Sequence, residues 1–129
     1  MEVIGLDHLV LNVTNVDASL EFYRDVLGLE ALRLDQFRRG EVGFVSVRVS
    51  SDTIIDLRPV AEPAAGPANV DHFCLVLEAT DMEALLSDLH TQGVEVRGPV
   101  STRWGARGSG DAFTIVDPDG NRIELKRYR

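Results

Sequence analysis

Two hydrophobic periods run through this chain, and each occurs twice. Over residues 8–13 the side chains of Leu9, Leu11 and Val13 alternate with those of His8, Val10 and Asn12, the two-residue period of a strand with one packed face. Residues 72–77 repeat the alternation, with Phe73, Leu75 and Leu77 on the packing face and His72, Cys74 and Val76 opposite. The lead-in Leu6-Asp7-His8-Leu9-Val10-Leu11 is echoed by Val70-Asp71-His72-Phe73-Cys74-Leu75, an offset of 72 − 8 = 64 residues. Asp17 and Asp81 recur at the same offset, and a helical period follows each. Met82, Leu85, Leu86 and Leu89 fall at i, i+3, i+4 and i+7, the stripe of a helix packed on one side. Thr80 with Glu83 reads as its capping box and Gly93 as its stop. In the first half Leu20, Tyr23 and Leu27, flanked by Phe22 and Val26, give a similar stripe that ends at Gly28.

Strand-like segments follow each helix, at 31–34, 43–49 and 53–58 in the first half and at 94–96, 112–116 and 122–128 in the second. Asp117-Pro118-Asp119-Gly120-Asn121 supplies the turn residues of a hairpin between the last two. The stretch 59–67 holds three prolines, too many for a central strand or a helix, and reads as a linker. The pattern predicts an α+β fold of two tandem βαβββ modules in one domain: module 1 over about 1–58, a linker over 59–69, and module 2 over about 70–129.

Composition narrows the setting. A chain of 129 residues with 44% hydrophobic side chains can build a core without staples. Its single cysteine, Cys74, cannot form an internal disulfide, and the first residues lack the features of a secretory signal, so a cytoplasmic location is expected. No apolar run approaches the roughly 20 residues that span a bilayer, so no membrane partner is expected. A net charge of -8 and scattered basic residues argue against nucleic acid.

The same alternation places chemistry on shared faces. His8 and His72 face away from the helix-packing side of their strands. With Ile55 and Leu57 packed, Asp56 and Arg58 point the other way; with Ile123 and Leu125 packed, so do Arg122, Glu124, Lys126 and Tyr128. Two imidazoles with one or two carboxylates make a mixed N/O donor set suited to a divalent ion of the Fe, Mn, Ni, Co or Zn group. Glu124 and Asp56 are the plausible carboxylate bases on these faces. Arg58 beside Asp56, Arg103, Trp104 and Arg107 on a glycine-bearing segment, and Tyr128 are candidate substrate contacts, and the arginines favour an anionic ligand. Gly105, Gly108 and Gly110 suggest a mobile loop. Asp7 and Asp71 read as strand-end residues pointing to the other face, Cys74 as packing, and His90 as a helix-end cation.

The Asp-His strand, the helix end Phe22-Tyr23-Arg24-Asp25-Val26-Leu27-Gly28, the second His strand and the ending from Asp117 to Leu125 have a combined likeness. Over essentially its whole length the chain resembles the vicinal oxygen chelate superfamily, which includes glyoxalases, bleomycin resistance proteins and extradiol dioxygenases. That resemblance implies a curved, barrel-like mixed sheet with helices outside. It implies one divalent metal held by His8, His72 and Glu124. Small bacterial glyoxalase I enzymes add a Glu where this chain has Asp56, one methylene shorter, which leaves open whether Asp56 binds metal directly. The implied activity is that of a glyoxalase I-like (lactoylglutathione lyase-type) lyase or isomerase acting on a small oxygen-chelating substrate. The alternatives are an extradiol dioxygenase-like or fosfomycin-resistance-like enzyme, or a metal-free binding protein of the bleomycin-resistance kind. Relatives commonly pair modules across subunits, so a homodimer is also implied.

Overall fold

The computed structural model describes residue 2 and residues 4–63, 65–66, 70–78 and 80–129; the linker positions 64 and 67–69 lie outside the described residues. The chain divides into two compact units, Met1–Ala65 and Gly66–Arg129. Each is a four-stranded mixed sheet of one topology.

In the first unit β1 (His8–Val13), β2 (Glu30–Leu32), β3 (Val45–Arg48) and β4 (Ile54–Pro59) form a sheet of order β1-β4-β3-β2. β1 runs parallel to β4, and the other pairs are antiparallel. The second unit repeats this with β5 (Phe73–Val76), β6 (Glu95–Gly105), β7 (Gly108–Val116) and β8 (Arg122–Tyr128) in the order β5-β8-β7-β6, β5 parallel to β8. Each unit is therefore βαβββ, as the repeat predicts.

Helix α1 (Val16–Leu20) is capped by the Asn15 side chain, which accepts from the Ala18 amide at 3.0 Å, and continues as a π-helical stretch over Glu21–Val26. The wider turn brings the adjacent Phe22 and Tyr23 both into the core, and Gly28 ends the segment with φ +73°. Helix α2 (Leu34–Arg38) is an addition that no periodicity announces. Helix α3 (Met82–Thr91) buries Met82 and Leu89. Its cap is Asp81, not the expected Thr80: the Asp81 carboxylate accepts from the Glu83 and Ala84 amides, both at 3.1 Å. The aspartate side chain is one residue closer to those amides, and as an anion it also favours the positive end of the helix.

Alternation on the packed faces holds. Leu11, Val13, Val45, Val47, Ile55 and Leu57 are buried in the first unit, and Phe113, Ile115, Ile123 and Leu125 in the second. Each such side chain contributes about 1.5–3 kcal/mol through removal from water. The segment expected to be a mobile loop is instead the end of a long hairpin. Arg103 and Trp104 lie within β6, Gly108 and Gly110 within β7, and Gly105 pairs with Gly108. Gly110 is required there by space, since a Cβ would stand 2.6 Å from the Arg127 carbonyl oxygen. The register of β6 shifts between Arg97 and Ser101, a bulge around Gly98-Pro99 that accommodates a proline inside a strand.

Candidate metal half-sites and an arginine-lined cavity

Strand register reveals how closely the two units correspond. Val10, two residues beyond His8, pairs with Asp56 across β1 and β4, and Ser46 of β3 lies on the other side of Asp56. Cys74, two residues beyond His72, pairs with Glu124 across β5 and β8, and Thr114 of β7 lies on its other side. Asp56 and Glu124 thus occupy equivalent positions, although the carboxylates are 124 − 56 = 68 residues apart and the histidines 64.

Each histidine is also held the same way. Asp7 Oδ2 lies 2.6 Å from His8 Nδ1, and Asp71 Oδ2 lies 2.7 Å from His72 Nδ1. The two aspartates are therefore not idle strand ends. His8 begins β1 and His72 precedes β5, so the alternation within the strand does not govern residues 7 and 71. A carboxylate accepting from Nδ1–H leaves the Nε2 lone pair available, the arrangement that metal-binding imidazoles use. The Asp7 hydrogen bond is the main influence holding His8 protonated above its ordinary range, with burial opposing it and the charges of Asp56 and Asp7 adding to it. Asp56 is buried and accepts a 2.6 Å hydrogen bond from the Ser46 hydroxyl.

In the second unit Glu124 is the hub. Its Oε2 lies 3.6 Å from His72 Nε2 and 3.3 Å from Arg103 Nη1, and its Oε1 lies 3.1 Å from Lys126 Nζ. Burial pushes the Glu124 carboxyl up. The hydrogen bond and charge of Lys126, followed by those of Arg103, outweigh burial and hold it below the ordinary range. Lys126, 2% exposed, also donates to the Trp104 carbonyl at 2.7 Å. Strand alternation alone would put Lys126 on an open face, but the long β6–β7 hairpin covers it. The corresponding residue in the first unit, Arg58, is exposed and donates to Asn12 Oδ1 at 2.9 Å. Cys74 Sγ lies 3.7 Å from Glu124 Oε1. Burial, with the charge of Glu124 behind it, pushes its thiol up to about 11, so it stays protonated and unreactive near neutrality.

The remaining expected substrate contacts separate. Arg103 donates to Thr114 Oγ1 at 2.9 Å as well as to Glu124. The Trp104 side chain is 82% exposed. Arg107 sits at the hairpin turn, its guanidinium 5.4 Å from the Tyr128 ring centroid, and these two residues line a different cleft with Val76, Leu77 and Glu78. A cavity of about 400 Å³ beside His72 is lined instead by Arg97, Arg103 and Arg122, with Asp71 and Thr114. Lys126, Arg97, Arg122 and Asp71 carry roles that the sequence reading did not assign. The usable signal was a cation two residues from a carboxylate on one strand face.

These residues can be tested against a divalent metal. Two ligands bonded at about 2.1 Å to one ion at a tetrahedral angle stand about 3.4 Å apart, and the 3.6 Å between His72 Nε2 and Glu124 Oε2 suits that spacing. Imidazole and carboxylate match the Zn, Fe, Ni, Co and Mn group, with Arg103 and Lys126 as competing cations on the carboxylate. Among the described residues no cluster of three or more His, Cys, Asp or Glu side chains stands ready as a complete cage.

Comparison with known proteins agrees with the architecture. Residues 5–125 match the model of the Glyoxalase/Bleomycin resistance protein/Dioxygenase superfamily, and the chain belongs to that superfamily. It is 31% identical over 130 residues to virulence protein STM3117 of Salmonella typhimurium, covering 99% of this chain and 87% of that protein. It is 30% identical over 132 residues to the glyoxalase domain-containing protein RDO1 of Mycosarcoma maydis, covering 100% of this chain and 71% of that protein. An integron cassette protein from the mobile metagenome of V. cholerae superposes with a TM-score of 0.78 at 27% identity, covering 100% of this chain and 98% of the other. No helix among the described residues is long and apolar enough to cross a membrane.

Proposed function

We propose that this chain is a metal-dependent enzyme of the superfamily, a glyoxalase I-like lyase or isomerase for a small oxygen-chelating substrate. The observation that carries this reading is the Asp–His pair present in both modules, each leaving Nε2 available, with Glu124 Oε2 3.6 Å from His72 Nε2. His8, His72 and Glu124 are the ligands carried over from the family, with Asp56 at the register position of Glu124 as a fourth or as a base. A bound divalent ion would supply Lewis-acid stabilisation of the negative charge that develops on a substrate oxygen. The chain's own part is to orient the imidazoles through Asp7 and Asp71 and to take a proton from carbon at a carboxylate. Asp56, buried and bonded to Ser46, and Glu124 are the groups able to do so.

One observation favours a second reading, a metal-free small-molecule binder. Glu124 is already neutralised by Lys126 and Arg103. Elemental analysis of purified protein separates the two. The enzyme reading expects about one divalent ion per chain in the wild type and loss of most of it in Glu124→Ala and His72→Ala. Metal-free wild-type protein that stays metal-free after incubation with Zn, Ni, Mn, Co or Fe(II) salts would sink it. Both readings place the protein in the cytoplasm as a homodimer, and sedimentation of the wild type at micromolar concentration checks the association state.

A further inference from the structure

The 400 Å³ cavity beside His72 gathers guanidinium groups in an acidic chain. The protein carries 21 acidic against 13 basic residues, yet Arg97, Arg103 and Arg122 all line this cavity and only one carboxylate, Asp71, lines it with them, while Glu95 and Glu124 pair with Arg97 and Arg103 from outside the lining. The volume lies in the range of small-molecule sites.

Each guanidinium is fixed at one edge and leaves another available. Arg97 binds Glu95 through Nε and Nη2, both at 2.9 Å. Arg122 donates from Nε to the Asp71 carbonyl at 3.1 Å and from Nη2 to the Asp71 carboxylate. Arg103 uses Nη1 on Thr114 and Glu124, and Nε on Ser101 at 3.2 Å. No hydrogen bond among the described residues uses Arg97 Nη1, Arg122 Nη1 or Arg103 Nη2. Anchored guanidiniums with donors to spare recognise oxyanions at small entropic cost, because the side chains are ordered in advance. Asp71 joins this cavity to the histidine, since its carboxylate contacts both Arg122 and His72 Nδ1.

We propose that this cavity binds an oxyanion group of the substrate, a carboxylate or a phosphoryl group, through Arg97, Arg103 and Arg122. Its role as a substrate subsite rests on the reading of His72 and Glu124 given above, whereas anion binding itself does not require the metal.

The test titrates wild-type protein with inorganic phosphate, with succinate and with ethylene glycol, following heat of binding, and measures metal content on the same samples. Phosphate or succinate binds and ethylene glycol does not; whichever anion binds identifies the group. Arg97→Ala and Arg122→Ala, both at half-exposed side chains that a stable fold tolerates, each weaken anion binding about tenfold. Arg107→Ala, on the other cleft, leaves it unchanged. Absence of anion binding to the wild type, or undiminished binding in both cavity variants, overturns the proposal. If metal is retained in that case, the proposed enzyme reading survives it. Anion binding to protein that takes up no metal leaves this site standing and removes the other.

Discussion

Replacing Lys126 with Met tests whether the buried cation is there for Glu124. The two side chains are 2% and 8% exposed and 3.1 Å apart, so each is the main compensation for the other's lost hydration. Removing one member of a buried ion pair costs about 3–5 kcal/mol, because the survivor is left desolvated and unpaired. Here Arg103 remains 3.3 Å from the other carboxylate oxygen, which places the expected loss near the lower end, about 3 kcal/mol. For a chain of this size that is a fall in melting temperature of roughly 10 °C. Methionine keeps most of the volume, so cavity formation adds little. Urea denaturation of wild type, Lys126→Met, Glu124→Gln and the double variant closes the cycle. The double variant should recover much of the single loss, since a neutral amide needs no counter-charge. A Lys126→Met protein within 0.5 kcal/mol (about the resolution of such cycles) of the wild type would refute the argument, as would strictly additive variants. The same substitution has an opposite expected effect on metal. Freed from a competing cation, Glu124 should bind a divalent ion more tightly.

The Asp111 carboxyl is held below the ordinary aspartate range by hydrogen bonds from Arg129 and then Arg127, against the effect of burial. Its folded pKa is lowered, so its contribution is complete above the unfolded value of about 3.9 and is lost as pH falls through the folded value. Asp111→Asn should therefore be less stable than wild type at pH 7, with the gap in urea midpoint closing below about pH 4; an unchanged gap at pH 3 would contradict the assignment. Gly110→Ala should destabilise more than Gly105→Ala. The added methyl at 110 meets a backbone oxygen at 2.6 Å, which only a shift of β8 relieves, whereas at 105 it meets the side-chain ends of Lys126 and Tyr128, which can yield at the expense of the Lys126–Glu124 pair but without moving the backbone. Thermal melts of the two variants decide the order.

The two-module fold was legible because burial imposes period two on strands and period 3.6 on helices, and His8 and His72 share a local context. Four features escaped for physical reasons. The π-helical stretch after Leu20 carries the adjacent Phe22 and Tyr23 inward, where a 3.6-residue period seats them less equally. The bulge at Gly98-Pro99 breaks the alternation of β6, so that its later residues resembled a loop. Lys126 was assigned to a face by parity alone, which says nothing about whether a neighbouring hairpin covers that face. The link from Asp71 to both His72 and Arg122 joins residues 51 positions apart, beyond any local pattern.

In both modules the first strand lies beside the last, with His8 opposite Ile54 and Phe73 opposite Ile123. Forming that parallel pair means closing a loop that contains every other element of the module, and such non-local pairing is slow. Emerging from a ribosome, the first module cannot complete its sheet until β4 has been released. The second module waits for β8, which sits between β5 and β7 and is the last element of that module. A nascent or truncated chain lacking those seven residues keeps a lone β5 and an uncovered β7 edge, the kind of exposed template that invites intermolecular pairing. Premature termination within β8 should therefore yield aggregate rather than a weakened protein.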